Sequence, residues 1–202
     1  MNFFKWQINC FLNPYPIIYQ YTENAKLIVR KGLTGATGNL YCGLMEFNDM
    51  AFLLHFLRRT DLFIDIGANI GAYTLLASSE IKANSISIEP LEDTFLILMD
   101  NIYINNIQDN VKAYNIGLGS KISKTHFTKS LDTINHVATK NERNIVEVQI
   151  DTLDNILINK HCPTLIKIDV EGYENEVING ASKTLGNNKL KAIIIELNGV
   201  NN

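Results

Sequence analysis

Long hydrophobic runs, clustered cations and paired cysteines are all missing from this chain of 202 residues. The aromatic-rich start, MNFFKWQINCFLNPYPIIYQY, is broken by Lys5, Asn9, Asn13, Pro14 and Pro16. It falls well short of the ~20 consecutive apolar residues that a transmembrane helix needs. It also lacks the basic start and small-residue cleavage site of a signal peptide, so a segment packed on the domain is expected, ahead of one lying on a membrane surface. Eighteen Lys and Arg against 21 Asp and Glu give a formal charge of −3, with no window dominated by cations. Nucleic acid is therefore excluded as a partner, because non-specific binding to it rests on clustered positive charge. Cys10, Cys42 and Cys162 are odd in number and far apart, with no C-x-x-C pair and no His at ligand spacing. That usage fits a reduced, cytoplasmic protein whose thiols are structural. Internal repeats and low-complexity tracts are absent as well.

What is present reads as one folded domain. Hydrophobic residues make up 46% and charged ones 19%, which is globular rather than disordered. NAKLIVRKGLTGATGNLYCG has two β-type runs around a Gly/Thr-rich turn and predicts a hairpin over 25–43. NDMAFLLHFLRR places Met50, Leu53, Leu54 and Leu57 on one helical face, with Asn48 or Asp49 as cap and His55 packed beside it. From residue 61 strands alternate with helices. LFIDI leads to a helix starting near Asn69; SISIE (85–89) leads to one opened by Pro90, with Leu91, Phe95, Leu98 and Ile102 on its face. VKAYNIGLG is a third strand, and 120–144 is polar and irregular. Val146, Val148 and Ile150 alternate as on a half-buried strand. TLIKID (164–169) precedes a helix bearing Val177, Ile178, Ala181 and Leu185 and ended by Gly186, and AIIIEL (192–197) is a fifth core strand. This alternation predicts an α/β fold with a parallel sheet covered by helices on both faces. Residues 1–60 then form an N-terminal extension, hairpin and helix, packed on a core of 61–202.

Ligands of such sheets sit beyond the carboxyl ends of the strands, which is where Asp65-Ile66-Gly67-Ala68-Asn69-Ile70-Gly71 falls. Glycine allows a tight turn and close approach of a ligand to backbone, and the helix that follows offers free N–H groups to an anion. A dinucleotide site usually reads G-x-G-x-x-G. Here the pattern is D-x-G-x-x-x-G, and Asp65 puts negative charge where pyrophosphate would lie, which disfavours a nicotinamide oxidoreductase. The charge suits the ammonium and sulfonium of S-adenosylmethionine. Glu89, ending the second strand, is placed to accept hydrogen bonds from ribose hydroxyls.

KIDVEGYE gathers Lys167, Asp169, Glu171 and Glu174 near the carboxyl end of the fourth strand. Transfer of a methyl group needs alignment, exclusion of water and removal of the acceptor's proton. Asp169 or Glu171 is the candidate base; alternatively the two hold a divalent cation that acidifies the hydroxyl. Glu176 is expected only to favour a helix start, Glu196 to face the acceptor, and His126, His136 and His161 to lie at the surface.

Taken together, GNLYCGLMEFNDMAFLLHFLRR, DLFIDIGANIGAYT, SIEP, the paired Asn101 and Asn105, VQIDTLD, IKIDVEGYENEVINGA and IIIELN resemble the FkbM-type S-adenosylmethionine-dependent methyltransferases over residues 35–197. The resemblance implies a Rossmann-like sheet of the methyltransferase type, with Asp65, Gly67, Ala68, Asn69 and Gly71 in the cofactor loop and Glu89 on the ribose. It also implies O-methylation of a sugar or secondary-metabolite hydroxyl. Two departures stand out. Gly117 replaces a frequent alanine at the adenine side, and the chain stops just after the fifth strand, where the family's sheet normally gains two more. The latter predicts an exposed edge prone to self-association, and it motivates an alternative: a cofactor-binding or interaction domain with little turnover.

Overall fold

Burial of alternate apolar residues explains most of the elements in the computed structural model, which describes residues 3–13, 15–128, 136–137 and 144–197. Helix α1 (Phe3–Leu12) buries Trp6 in the main hydrophobic cluster. The expected hairpin at 25–43 is displaced. Strand β1 (Ile17–Gln20) pairs antiparallel with β2 (Lys26–Val29), and the Gly/Thr-rich stretch forms helix α2 (Thr34–Cys42). Ala36, Asn39 and Leu40 are the reason: at helical spacing all three are buried, and tertiary burial overrides the weak helix propensity of two glycines. Helix α3 (Phe47–Phe56) buries Met50 and Leu53 as its periodicity predicts, but its N-cap is Glu46 rather than Asn48 or Asp49. His55 is exposed on the far side of that helix rather than packed.

The core sheet contains β3 (Leu62–Ile66), β4 (Asn84–Ile88), β5 (Val111–Tyr114), β9 (Leu165–Ile168) and β10 (Ala192–Ile195), all parallel, in the order β10-β9-β3-β4-β5. Its period of two separates the faces. Ile64, Ile66, Ile86, Ile88, Ile166 and Ile168 point toward Leu153, Ile156, Val177 and Ala181, whereas Phe63 and Leu165 join the cluster that includes the N-terminal elements. The chain order places the reversal between β3 and β9, and therefore the binding crevice at their carboxyl ends.

Between core strands run α4 (Ala72–Leu75) with a π-helical continuation over Leu76–Glu80, α5 (Glu92–Ile104), α6 (Leu153–Ile156), α7 (Glu174–Asn179) and α8 (Ser182–Leu185). The single helix expected around 177–185 is split because Gly180 touches the Gly119 backbone; a Cβ there would lie 2.0 Å from the Gly119 carbonyl oxygen. VKAYNIGLG also divides. Its second half, β6 (Gly117–Leu118), joins a separate sheet with β7 (Ser123–Thr128) and β8 (Ile145–Asp151) in the order β6-β8-β7. The stretch read as polar and irregular thus supplies a strand, and much of its remainder lies outside the described residues.

Two amides hold the hairpin to the core. Asn101 Oδ1 accepts from the Ile28 N–H at 2.8 Å and its Nδ2 donates to the Ile70 carbonyl at 2.8 Å. Asn105 accepts from the Lys26 N–H and donates to the Lys26 carbonyl, each at 2.7 Å.

Candidate active site

The turn from β3 into α4 needs backbone that most side chains resist. Gly67, Asn69 and Gly71 have φ of +74°, +51° and +93°. Gly67 is also sterically required, since a Cβ on it would lie 1.8 Å from the Asp169 carbonyl oxygen. The N–H groups of Gly67 and Ala68 both donate to the Ile88 carbonyl at 3.0 Å, so the loop is clamped between the ends of β4 and β9.

Glu89, just past β4, is 6% exposed. Its Oε2 accepts from the Asn69 N–H at 2.9 Å and its Oε1 from the Leu91 N–H at 3.0 Å. A carboxylate has about four acceptor positions, so each oxygen keeps one for a ligand. Burial pushes its pKa up to about 7 against the pull of those two bonds, with Asp65 and Asp169 adding to the rise. Asp65 is fully buried. Its Oδ2 accepts from the Thr74 hydroxyl at 2.7 Å, and Thr74, having given its one proton, accepts from Ser87 at 2.7 Å. Asp65 Oδ1 has no partner among the described residues. Burial raises the Asp65 pKa, opposed by Lys167.

Parallel register sets Lys167 beside Asp65. The Lys167 ammonium donates to Asp169 Oδ2 at 2.7 Å and lies 4.7 Å from the Tyr73 ring centre, while the Tyr73 hydroxyl donates to Glu46 Oε2 at 2.6 Å. Glu171 has φ of +50°, next to Gly172 at +92°. Glu174 is buried and accepts from the Gly172 N–H at 2.8 Å, fixing that turn. Glu176 accepts from Ser120, a structural part as expected.

Two cavities meet over this turn. The first is walled by Glu89, Leu91, Thr94, Gly117, Leu118, Phe127 and Tyr173, a slot whose lining mixes apolar side chains with carboxylates. The second, about 990 Å³, is walled by Asn39, Glu46, Tyr73, Lys167 and Glu196 among others. Gly67, Asn69, Asp169 and Glu171 belong to both. Of the residues expected in the cofactor loop, Gly67, Ala68 and Asn69 therefore line cavity, whereas Asp65 and Gly71 line neither. Asp65 is a β3 residue under Thr74, so its side chain supports the loop from below. Gly71 is the residue before α4, packed so closely on Leu98 that a Cβ would lie 2.5 Å from its Cδ1. Phe127 and Tyr73 were not foreseen. Phe127 is an isolated aromatic in a polar stretch, and Tyr73 reads from sequence as an ordinary helix residue. His126 and His161 are exposed, while His136 is half-buried.

Among the described residues, no three His, Cys, Asp or Glu side chains converge to hold a metal ion. The arrangement does fit an adenosine-bearing cofactor: apolar side chains of Leu91, Leu118 and Phe127 along one cavity, a buried carboxylate with spare acceptor positions, and a loop without a β-carbon at its tightest point.

A Rossmann-like α/β sheet with its binding crevice over the reversal between β3 and β9 is what the strand order defines. Residues 65–202 match the model of the methyltransferase FkbM domain, and the chain belongs to that family. Relatives include the hexuronic acid methyltransferase AglP of Haloferax volcanii, 30% identical, with 75% of this chain and 62% of that protein aligned. Another is methyltransferase 1 of Beauveria bassiana, 30% identical over 58% of this chain and 57% of that protein. Among solved structures, a precorrin-6y C5,15-methyltransferase from Geobacter metallireducens is 16% identical, with a TM-score of 0.43, covering 73% of this chain and 58% of that one. The chain thus spans about 60% of the length of either curated relative.

Proposed function

We propose that this chain binds S-adenosylmethionine and methylates a hydroxyl group of a small-molecule acceptor, a saccharide or secondary metabolite, in the cytoplasm. The observation that supports it most is Glu89, a buried carboxylate at the end of β4 whose two oxygens each hold one backbone N–H and keep acceptor capacity facing the first cavity. Two ribose hydroxyls complete that set. Leu91, Leu118 and Phe127 in the same cavity would hold the adenine. The sugar substrate in the name of the Haloferax relative supports a saccharide as acceptor.

When bound, the cofactor supplies an electrophilic methyl group. The chain's residues do the rest. Asp169 lines both cavities, with Oδ2 held by Lys167, and would take the proton that the acceptor hydroxyl loses on methylation. Glu171 at the same mouth is a second carboxylate in reach of the acceptor. The divalent-cation route is the weaker of the two, given the lack of a three-ligand cluster among the described residues.

The test uses the pH dependence of binding. Glu89 accepts two hydroxyls only as a carboxylate, so affinity for S-adenosylhomocysteine rises by up to about tenfold per pH unit toward pH 7 and levels off above it. Stability of the ligand-free fold runs the other way. A folded pKa raised from 4.5 to about 7 favours the fold at low pH and loses that contribution as pH rises through this window. Calorimetry at pH 5.5 to 8.5 reads the first trend, and Glu89→Gln should flatten it. A flat profile for the unmodified chain, or tight NAD binding with no response to S-adenosylhomocysteine, would sink the proposal.

We further propose self-association along β10. Among the described residues it is an outer strand of the sheet, with Ile193 in it and Leu197 two residues beyond it 42% and 72% exposed. An outer strand leaves one row of N–H and C=O groups without a strand partner, which can template pairing. Light scattering should show mass increasing with concentration, reduced by Ile193→Lys. A monodisperse monomer at high concentration would remove this edge as an interface.

A further inference from the structure

We propose that Lys167 holds the carboxylate of the cofactor's amino-acid tail. The inference rests on the reading that the joined cavities take S-adenosylmethionine. With its ribose on Glu89 in the first cavity, the ligand continues past Gly67 and Asn69, which border both spaces, into the second. The walls there are acidic, with Glu46, Asp169, Glu171 and Glu196, and among the described residues lining it Lys167 is the one cation. The tail is a zwitterion. Its ammonium has several carboxylates within the cavity to approach, but its carboxylate meets a single positive side chain.

Lys167 is built to serve. An ammonium carries three donors, and the hydrogen bond to Asp169 at 2.7 Å uses one of them. The Tyr73 ring faces the charge at 4.7 Å and cannot swing away, because its hydroxyl is tied to Glu46. Asp65 stands in register on the neighbouring strand. Burial alone would lower the Lys167 pKa, yet Asp169 and Asp65 outweigh it and hold it above its ordinary value, so the head remains a cation with donors left over.

The probes are S-adenosylhomocysteine and its decarboxylated analogue, which keeps the amine and lacks only the carboxylate. Calorimetry on the unmodified chain should give at least about tenfold tighter binding for S-adenosylhomocysteine. Lys167→Met should lose about 10- to 100-fold toward S-adenosylhomocysteine and change little toward the analogue, so the preference disappears. An equal loss for both ligands would overturn the assignment, because it would mean a general disturbance of the site. So would equal or better binding of the analogue by the unmodified chain, the outcome expected if acidic walls alone meet the tail. Where Lys167→Met does not fold, lysine-selective NMR of the unmodified chain decides: the Lys167 Cε signal should move with S-adenosylhomocysteine and stay put with the analogue. Equal movement with both refutes the contact. Failure of the unmodified chain to bind S-adenosylhomocysteine would instead overturn the cofactor reading itself.

Discussion

Gly67→Ala is expected to abolish cofactor binding and to destabilise the fold by ~2–4 kcal/mol. Two effects add. A φ of +74° is strained for alanine, and the new Cβ would sit 1.8 Å from the Asp169 carbonyl oxygen, where backbone has to move. That movement separates the loop from β9 and pulls Asp169 away from the joint between the cavities. Gly32→Ala is the matched control: its φ is +91°, yet nothing lies within 4 Å of its Cβ position, so only the backbone strain remains. Chemical denaturation and calorimetric titration of both variants measure the difference. Equal stability loss in the two, with binding retained at Gly67→Ala, would show that the loop does not depend on this close approach.

Asp169→Asn is expected to lower kcat by ~10²–10⁴-fold while changing cofactor affinity only severalfold. The amide keeps the shape of the side chain and can still accept from Lys167, but it cannot take a proton. Steady-state kinetics with a hydroxyl acceptor, alongside titration with S-adenosylhomocysteine, separates the two effects. Unchanged turnover would remove Asp169 from the chemistry and leave Glu171 as the candidate base.

Much of this was legible because the sequence signals were local. Strands β3, β4, β9 and β10 are short apolar runs, and each glycine of DIGANIG sits where the backbone takes positive φ or touches a neighbour. The acid at the end of SISIE likewise stands where the strand order requires. The hairpin was misplaced because KLIV can pair in either direction along the chain, and its partner, IIYQ, lies in a stretch dominated by aromatics and prolines. Helix α2 was hidden for a related reason: its two glycines argue against a helix, and only the buried side of the finished fold argues for one. In the site, Asp65 was taken to face the ligand because sequence spacing says which residues are near a turn, whereas the direction of a side chain comes from strand pleat and from what packs above it. Lys167 and Tyr73 illustrate the same limit. They are 94 residues apart and meet only because β9 lies beside β3.

Asn101 also bears on how the molecule comes apart. One fully buried amide group is shared by the Ile28 N–H of the hairpin and the Ile70 carbonyl of the loop between β3 and α4. A two-stranded ribbon is marginal by itself, so the hairpin depends on this side chain and on Asn105 for part of its order. The loop depends on the same atom group for its carbonyl. The hairpin and the loop after β3, more than 40 residues apart along the chain, are thus fastened to the same side chain of α5, so a change at Asn101 loosens both at once.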